Sequence, residues 1–409
     1  MPAPFPNRRL LVAAFALLCA VLPAQAQPQA DDGETLSISL LTFGPGEIYW
    51  ERFGHNAILV RDAATGSAIA YNYGIFDFNQ RHFFLNFARG LMRYRIAADP
   101  LVLDLALYRE EGRWVEEQAL ALSPPQRAAL RDFLEWNARP EHAQYDYDYF
   151  RANCSTQVRD ALDRALGGAL RAQLQARPTR ASYRSDAVRL IWPDPLLALG
   201  MDLALGPVAD RPLDLWQESF VPMVLMRALR GVTVSEAAGK RVPLVVSERR
   251  LMQARLPDEP AATPDLRVPF LALGLVLAGL LLLTRGTRIG FTALAVLYAL
   301  PCALGGTILL LMWGFTRHWA SWGNQNLLLL DPLYWALLPA LLRGAPAARA
   351  LGPGRRALVW IIAVAALCTP LLKLSPAIPR QDNLHWILLL LPPALALCLS
   401  LLRRMPERS

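Results

Sequence analysis

What most limits the folds open to this chain is a change of texture near residue 265. Beyond the Pro-rich stretch RLPDEPAATPDLRVP (255–269), five apolar runs follow one another: Val268–Leu283, Ile289–Met312, Leu327–Leu342, Ala357–Leu372 and Trp386–Leu402. Each is close to the roughly 20 residues that cross a hydrocarbon core. The third is interrupted by Asp331 and Pro332. The connecting loops alternate in charge. TRGTR (284–288), RGAPAARALGPGRR (343–356) and the tail RRMPERS (403–409) carry two, four and three Arg. The loops between them, Phe315–Gln325 and Lys373–His385, hold only Arg317, and Lys373 with Arg380. Basic residues collect on the cytoplasmic side of membrane proteins. An odd number of passes, five, therefore places residues 27–265 outside the cytoplasm.

The start of the chain agrees. Arg8 and Arg9 precede an apolar run, Leu10–Leu22, and Ala24-Gln25-Ala26 supplies a small-x-small cleavage pattern. This reads as an export signal over residues 1–26. Leu18 stands before Cys19 where a lipid-modified cysteine would want a small residue, so Cys19 is taken to leave with the signal. The expected organisation is a signal peptide (1–26), an exported globular domain (27–265) and a membrane domain of about five helices (266–409). Net charge is +8, yet Lys occurs only at Lys240 and Lys373. No basic stripe interleaved with aromatics is present, so nucleic acid is not an expected partner.

Cysteine usage narrows the chemistry. Of five cysteines, Cys19 is in the signal and Cys302, Cys368 and Cys398 lie in apolar runs. The exported domain keeps only Cys154, which permits no internal disulfide. No dense His/Asp/Glu cluster appears there, so neither a metal nor another cofactor is expected.

The exported domain reads as mixed α and β. Strands are expected over 35–43, 91–99, 101–110 and 113–122, with a hairpin formed by 55–62 and 67–74 around AATG (63–66). Helices are expected over 78–90, stopped by Gly90; 123–139, with Ser123 as N-cap; 155–168; about 183–192; and 214–230. In the helix after Cys154, Val158, Ala161, Leu162 and Ala165 make a buried stripe. Cys154 then sits at a helix N-terminus, capped by Asn153 or Ser155. The unpaired amides and macrodipole there favour a thiolate, and the same amides suit an oxyanion.

A nucleophilic thiol wants a base. His82 reads as a helix packing or surface residue and His142 as a solvated one. His55, opening an apolar strand directly after Gly54, is the candidate base. Its orienting partner is expected on the neighbouring strand, as Asn72, or else Tyr71 or Tyr73, the hairpin register deciding which. In the outward membrane loops, His318, Asn324, Asn326, Asp382 and His385 are candidates for a lipid head group or an incoming amine; the bland reading is an interfacial belt. A metal held by His318 and His385 is not demanded by their spacing.

The motifs FGHNAILV…YNYGIFDF and YDYDYFRANCSTQVRDALD resemble the Lnb N-terminal periplasmic domain family, and more distantly the permuted NlpC-type cysteine peptidases and lecithin retinol acyltransferase-like proteins. The resemblance extends over most of 35–230, including DLWQESFVPMVL (214–225), and the multispan half resembles the membrane region of the same proteins. It implies an α+β permuted papain-like periplasmic domain in which the His-bearing strand precedes the Cys-bearing helix. It also implies lipoprotein N-acylation at the outer face of the bacterial inner membrane. An acyl chain would pass from a phospholipid through a Cys154 thioester to the α-amine of a diacylated lipoprotein, with His55 as base. No obligatory protein partner is implied. The lecithin retinol-like relatives carry a second His on the next strand; here Asn72 stands in that region, which leaves the third role open. Related folds hydrolyse peptides or lipids. A membrane-anchored cysteine hydrolase, and an inactive sensory or scaffold protein, are the competing expectations.

Overall fold

The computed structural model describes residues 33–235, 239–342 and 351–402. The signal at 1–26 with Cys19, the tail at 403–409 and part of the Arg-rich loop at 343–356 lie outside them.

The exported region is built on one sheet. Its elements run β1 (Leu36–Phe43), β2 (His55–Asp62), β3 (Ser67–Ile75), α1 (Phe83–Arg89), β4 (Met92–Pro100), α2 (Leu101–Glu110), β5 (Val115–Leu120), α3 (Pro124–Ala138), β6 (Gln144–Tyr147) and α4 (Cys154–Ala165). There follow α5 (Ala169–Gln175), α6 (Tyr183–Ile191), α7 (Pro195–Ala204), α8 (Leu215–Glu218), α9 (Pro222–Leu229), a small β7–β8 ribbon (Thr233–Ser235, Arg241–Pro243) and β9 (Val245–Met252). The seven-stranded sheet has the order β6-β4-β3-β2-β1-β5-β9 and every pairing is antiparallel. β1 and β2 are central and covered on both faces. One face presents Ile38, Leu40, Ile58, Tyr71 and Tyr73 to α3 and α4. The other presents Leu41, Phe43, Ala57, Leu59 and Ala70 to α2.

Most of the expected elements form. The β2–β3 hairpin has the anticipated turn, and α3 opens with a Ser123/Gln126 capping box. The region 214–230 is two helices, divided before Pro222. The segment 101–110 is a correction: it is the helix α2, not a strand. Its alternating apolar residues mimic a strand, but the buried positions are Asp104 and Tyr108, four apart on one helical face. Val102, Leu103 and Leu107 face outward.

Among the described residues, five further α-helices follow the linker: α10 (Arg267–Thr284), α11 (Arg288–Phe315), α12 (Tyr334–Leu342), α13 (Pro353–Leu371) and α14 (Leu384–Leu402). Among the described residues, four are long and apolar enough to cross a membrane: α10, α11, α13 with its following turn, and α14. The third expected span is broken. It consists of a 3-10 turn at Gln325–Leu328, an irregular passage around Asp331 and Pro332, and the nine described residues of α12. Pro332 cannot donate a backbone hydrogen bond, and the Asp331 carboxylate instead accepts from Leu333 N–H at 2.9 Å.

Contacts give the direction of each segment. Leu330 carbonyl lies so close to Gly306 of α11 that a Cβ there would sit 1.5 Å from it. Trp335 Nε1 donates to Thr307 Oγ1, and Thr292 Oγ1 donates to Leu341 carbonyl. The third segment therefore runs antiparallel to α11 from Gly306 back to Thr292. Phe270 of α10 meets His385 and Trp386 of α14, and Gly274 lies against the carbonyls of Leu388 and Leu389. α10 and α14 thus run parallel.

Candidate active site at the end of the sheet

His55 opens β2, so its side chain stands at the end of the sheet. Side chains alternate along a strand. His55 therefore shares a face with Ala57, the face of α2. The register pairs Ala57 with Asn72, which puts Asn72 one diagonal step from His55 on the same face. His55 Nε2 and Asn72 Oδ1 are 3.0 Å apart. Asn72 Nδ2 donates to Asp104 Oδ2 at 2.9 Å. That second bond fixes the amide: its nitrogen faces Asp104, so its oxygen faces the imidazole. Nε2 must then carry the hydrogen, and Nδ1 is the basic nitrogen. Of the three orienting partners considered, Asn72 holds the position. Tyr71 and Tyr73 point to the opposite face, where Tyr73 hydroxyl donates to Asn137.

The imidazole is also held from the side. Tyr108 of α2 stacks near it, with centroids 6.4 Å apart, and Phe43 lies at 5.6 Å. The Arg113 guanidinium sits 4.6 Å above the Tyr108 ring, donates to Gly44 carbonyl at 2.7 Å and pairs with Glu111 at 3.0 Å. Its Nη2 finds no hydrogen-bond partner among the described residues.

Cys154 arrives from the other face, at the first position of α4. Asn153 caps the helix, its side-chain oxygen accepting from Thr156 N–H at 2.9 Å. The helix is pinned to β2 by Ser155, whose hydroxyl donates to Asn56 Oδ1 at 2.9 Å. Asn56 is fully buried and its Nδ2 donates to Thr42 Oγ1 at 2.8 Å. Gly74 makes the close approach possible. It has φ +92°, and a Cβ there would lie 3.4 Å from Cys154 Cβ. The backbone N–H groups of Asn56, Ser155 and Cys154 itself face the sulfur and favour its charged form. Asn56 follows His55 in the chain, so thiol and imidazole converge on the same end of β2. Both residues are only partly covered by neighbouring atoms.

The charge state differs from the sequence expectation. Burial raises the Cys154 pKa, and the amides of Asn56 and Ser155, with Arg113, offset this only in part. Desolvation outweighs the helix terminus. For His55, burial is the largest influence and lowers the pKa; the Asn72 bond raises it, Arg113 lowers it, and the result is about 4. Thiol and imidazole are therefore both neutral at pH 7. His55 is thus a neutral imidazole able to accept a proton, and Cys154 a protonated thiol, not a resting thiolate. The amides around the sulfur suit charge that develops only as the bond forms.

The five outward-loop candidates have a different task. α7 ends in carbonyls without intrahelical partners. Asn324 Nδ2 donates to those of Leu203, Ala204 and Leu205 at 2.8, 3.0 and 3.1 Å. Asn326 Nδ2 donates to Leu203 carbonyl at 3.2 Å. His385 Nε2 and Trp386 Nε1 donate to Asp202 Oδ2 at 2.5 and 2.7 Å. His318 Nε2 donates to Phe87 carbonyl at 3.1 Å. These groups clamp the exported domain onto the helices instead of reaching toward Cys154. Asp382 joins the same junction through its N–H, which donates to Asp210. Among the described residues, no group of three or more His, Cys, Asp or Glu is placed to hold a metal ion.

Asp104, Asn56, Tyr108 and Arg113 were not singled out from the sequence, and Ser155 only as a helix cap. An aspartate inside the apolar run LVLDLALY was the available signal for the first.

Residues 24–191 match the family model described as the Lnb N-terminal periplasmic domain. The match spans the sheet through β6 and the site residues His55, Asn72, Asp104 and Cys154. No curated protein and no solved structure matches the chain.

Proposed function

We propose that this chain is a cysteine acyltransferase of the bacterial inner membrane. On this reading a permuted papain-like domain faces the periplasm and is carried by five membrane passes, the third of them broken. The parallel run of α10 and α14 supports an odd number of passes. The substrates are a phospholipid and a diacylated lipoprotein. The observation that carries the reading is the hydrogen-bonded chain Asp104–Asn72–His55 at the end of β2 that Cys154, opening α4, also approaches.

The steps follow from that geometry. Asn72 holds Nε2–H, leaving Nδ1 to take the Sγ proton as sulfur attacks an ester carbonyl of the phospholipid. The oxyanion forms near the amides of Asn56 and Ser155. Collapse breaks the ester C–O bond, His55 returns the proton to the departing alkoxide, and a lysophospholipid leaves. Cys154 then carries the acyl group as a thioester. The neutral α-amine of the lipoprotein attacks it, His55 takes the amine proton, and Cys154 leaves as the thiol once that proton reaches sulfur. Both substrates are anchored in the bilayer, so a site fixed at its surface meets them at high effective concentration.

Purified full-length protein given phospholipid vesicles and a diacylated lipopeptide tests the assignment. Amide formation on the lipopeptide is the expected product. Release of free fatty acid with no amide would replace this reading by a hydrolase.

A further inference from the structure

We infer that α1 and the aromatic face around it form a lipid-docking surface. It lies in the outer headgroup–acyl boundary and leads one acyl chain of a glycerophospholipid to Cys154. Rings touch in an unbroken series: Trp50 to Phe76 at 6.1 Å, Phe76 to Phe78 at 5.0 Å, Phe78 to Phe83 at 5.0 Å, Phe83 to Phe87 at 6.3 Å and Phe87 to Tyr149 at 6.4 Å. This face is open: Phe84 is 76% exposed, Leu85 56% and Phe78 54%. A contiguous exposed apolar patch marks a binding surface. Its inner end is the reaction centre, because Phe76 lies two residues after Gly74, which abuts Cys154.

The position of the outer end identifies the occupant. Arg317 N–H donates to Arg89 carbonyl at 2.9 Å, and His318 Nε2 donates to Phe87 carbonyl at 3.1 Å. Both bonds join the α1 region to the residues directly after α11, a 28-residue apolar helix ending at an exposed Phe315. With α11 spanning the bilayer, α1 is held at the level where hydrocarbon meets head groups. Exposed Arg81, Arg89 and Arg317 lie beside the aromatic face, which suits phosphates above and acyl chains below. The purpose of the surface rests on the acyltransferase reading; the docking itself does not.

The test uses the full chain and its Cys154→Ser variant in vesicles of phosphatidylethanolamine and phosphatidylglycerol, a fraction of the lipid carrying a diazirine in its acyl chain. After irradiation, peptide mapping is expected to find label within residues 76–89 in both proteins, besides label on α10, α11, α13 and α14. Replacing Phe84→Glu and Leu85→Glu together is expected to cut label in 76–89 by about tenfold while helix labelling persists. Label confined to 267–402 would overturn the inference. So would protection of 76–89 that appears only as the chain self-associates, which would make the face a protein interface. Label in 76–89 without any transfer to lipopeptide would leave the docking standing and remove the proposed function instead.

Discussion

The end of the sheet and the junction with the membrane helices each hold a histidine bonded to a side-chain oxygen, and they use it in opposite ways. His55 donates to a neutral amide, Asn72. His385 donates to a carboxylate, Asp202, which also takes Trp386 and an ion pair from Arg184. Burial raises the Asp202 pKa, but His385 and Arg184 outweigh it and hold the carboxyl below its usual range. The junction is a closed network around the Arg184–Asp202 ion pair. At the sheet end the carboxylate, Asp104, is one residue further away, so the imidazole is oriented without being given a counter-ion. It stays neutral and able to accept a proton. Orientation without ionisation suits a base; saturation suits a clamp.

Mutations in the two regions should therefore fail differently. The largest expected effect is at the sheet end: Cys154→Ser abolishes acyl transfer, and His55→Ala lowers it by about 1,000-fold, with thermal unfolding little changed. At the junction, Asp202→Ala removes one of the two carboxylates on buried Arg184, which keeps Asp210, and leaves His385 and Trp386 without their acceptor; it is expected to cost about 1–3 kcal/mol of stability. A calorimetric midpoint should fall, and surviving folded protein should still transfer. Loss of turnover in Asp202→Ala at unchanged stability would break the distinction.

Asn72 and Asp104 sharpen it. On the proposed mechanism activity requires neutral His55, so kcat/KM is expected to fall away below about pH 4. Asn72→Asp places a carboxylate beside Nε2, favours the imidazolium and should move that fall to higher pH. Asp104→Ala should lower kcat by roughly tenfold or more through misorientation, with KM nearly constant. A uniform loss with an unshifted pH profile would mark both as merely structural. Smaller effects follow. Asn324→Ala removes the donor to three helix-end carbonyls and should cost about 1–3 kcal/mol. Gly74→Ala forces an alanine to φ +92° and should cost about 1–2 kcal/mol, read in denaturant midpoints.

The contrast also explains what the sequence revealed. Cys154 and His55 were legible because each sits at the boundary of a strongly patterned element: a capped amphipathic helix and an apolar strand. Asn72 was one of three because a single-residue slip of the hairpin exchanges faces; only the register chose it. Asp104 stayed hidden because LVLDLALY alternates like a strand, and read that way its carboxylate has no reason to meet Asn72. The resting charge state was missed because a helix N-terminus is visible in sequence and burial is not. At the junction, His318, Asn324, Asn326 and His385 carry the residue types of a headgroup site. Their partners are the Phe87 carbonyl of α1, backbone carbonyls at the end of α7 and a carboxylate, all more than a hundred residues away, and none leaves a mark on the loops themselves.

The most direct test is mass spectrometry of the intact protein after brief exposure to phospholipid vesicles without lipopeptide. A catalytic Cys154 gives one added acyl mass, removed by neutral hydroxylamine, mapped to the peptide that opens α4, and discharged on adding a diacylated lipopeptide. An acyl group on any other residue, or a Cys154→Ser protein that transfers as well as the wild type, would contradict it.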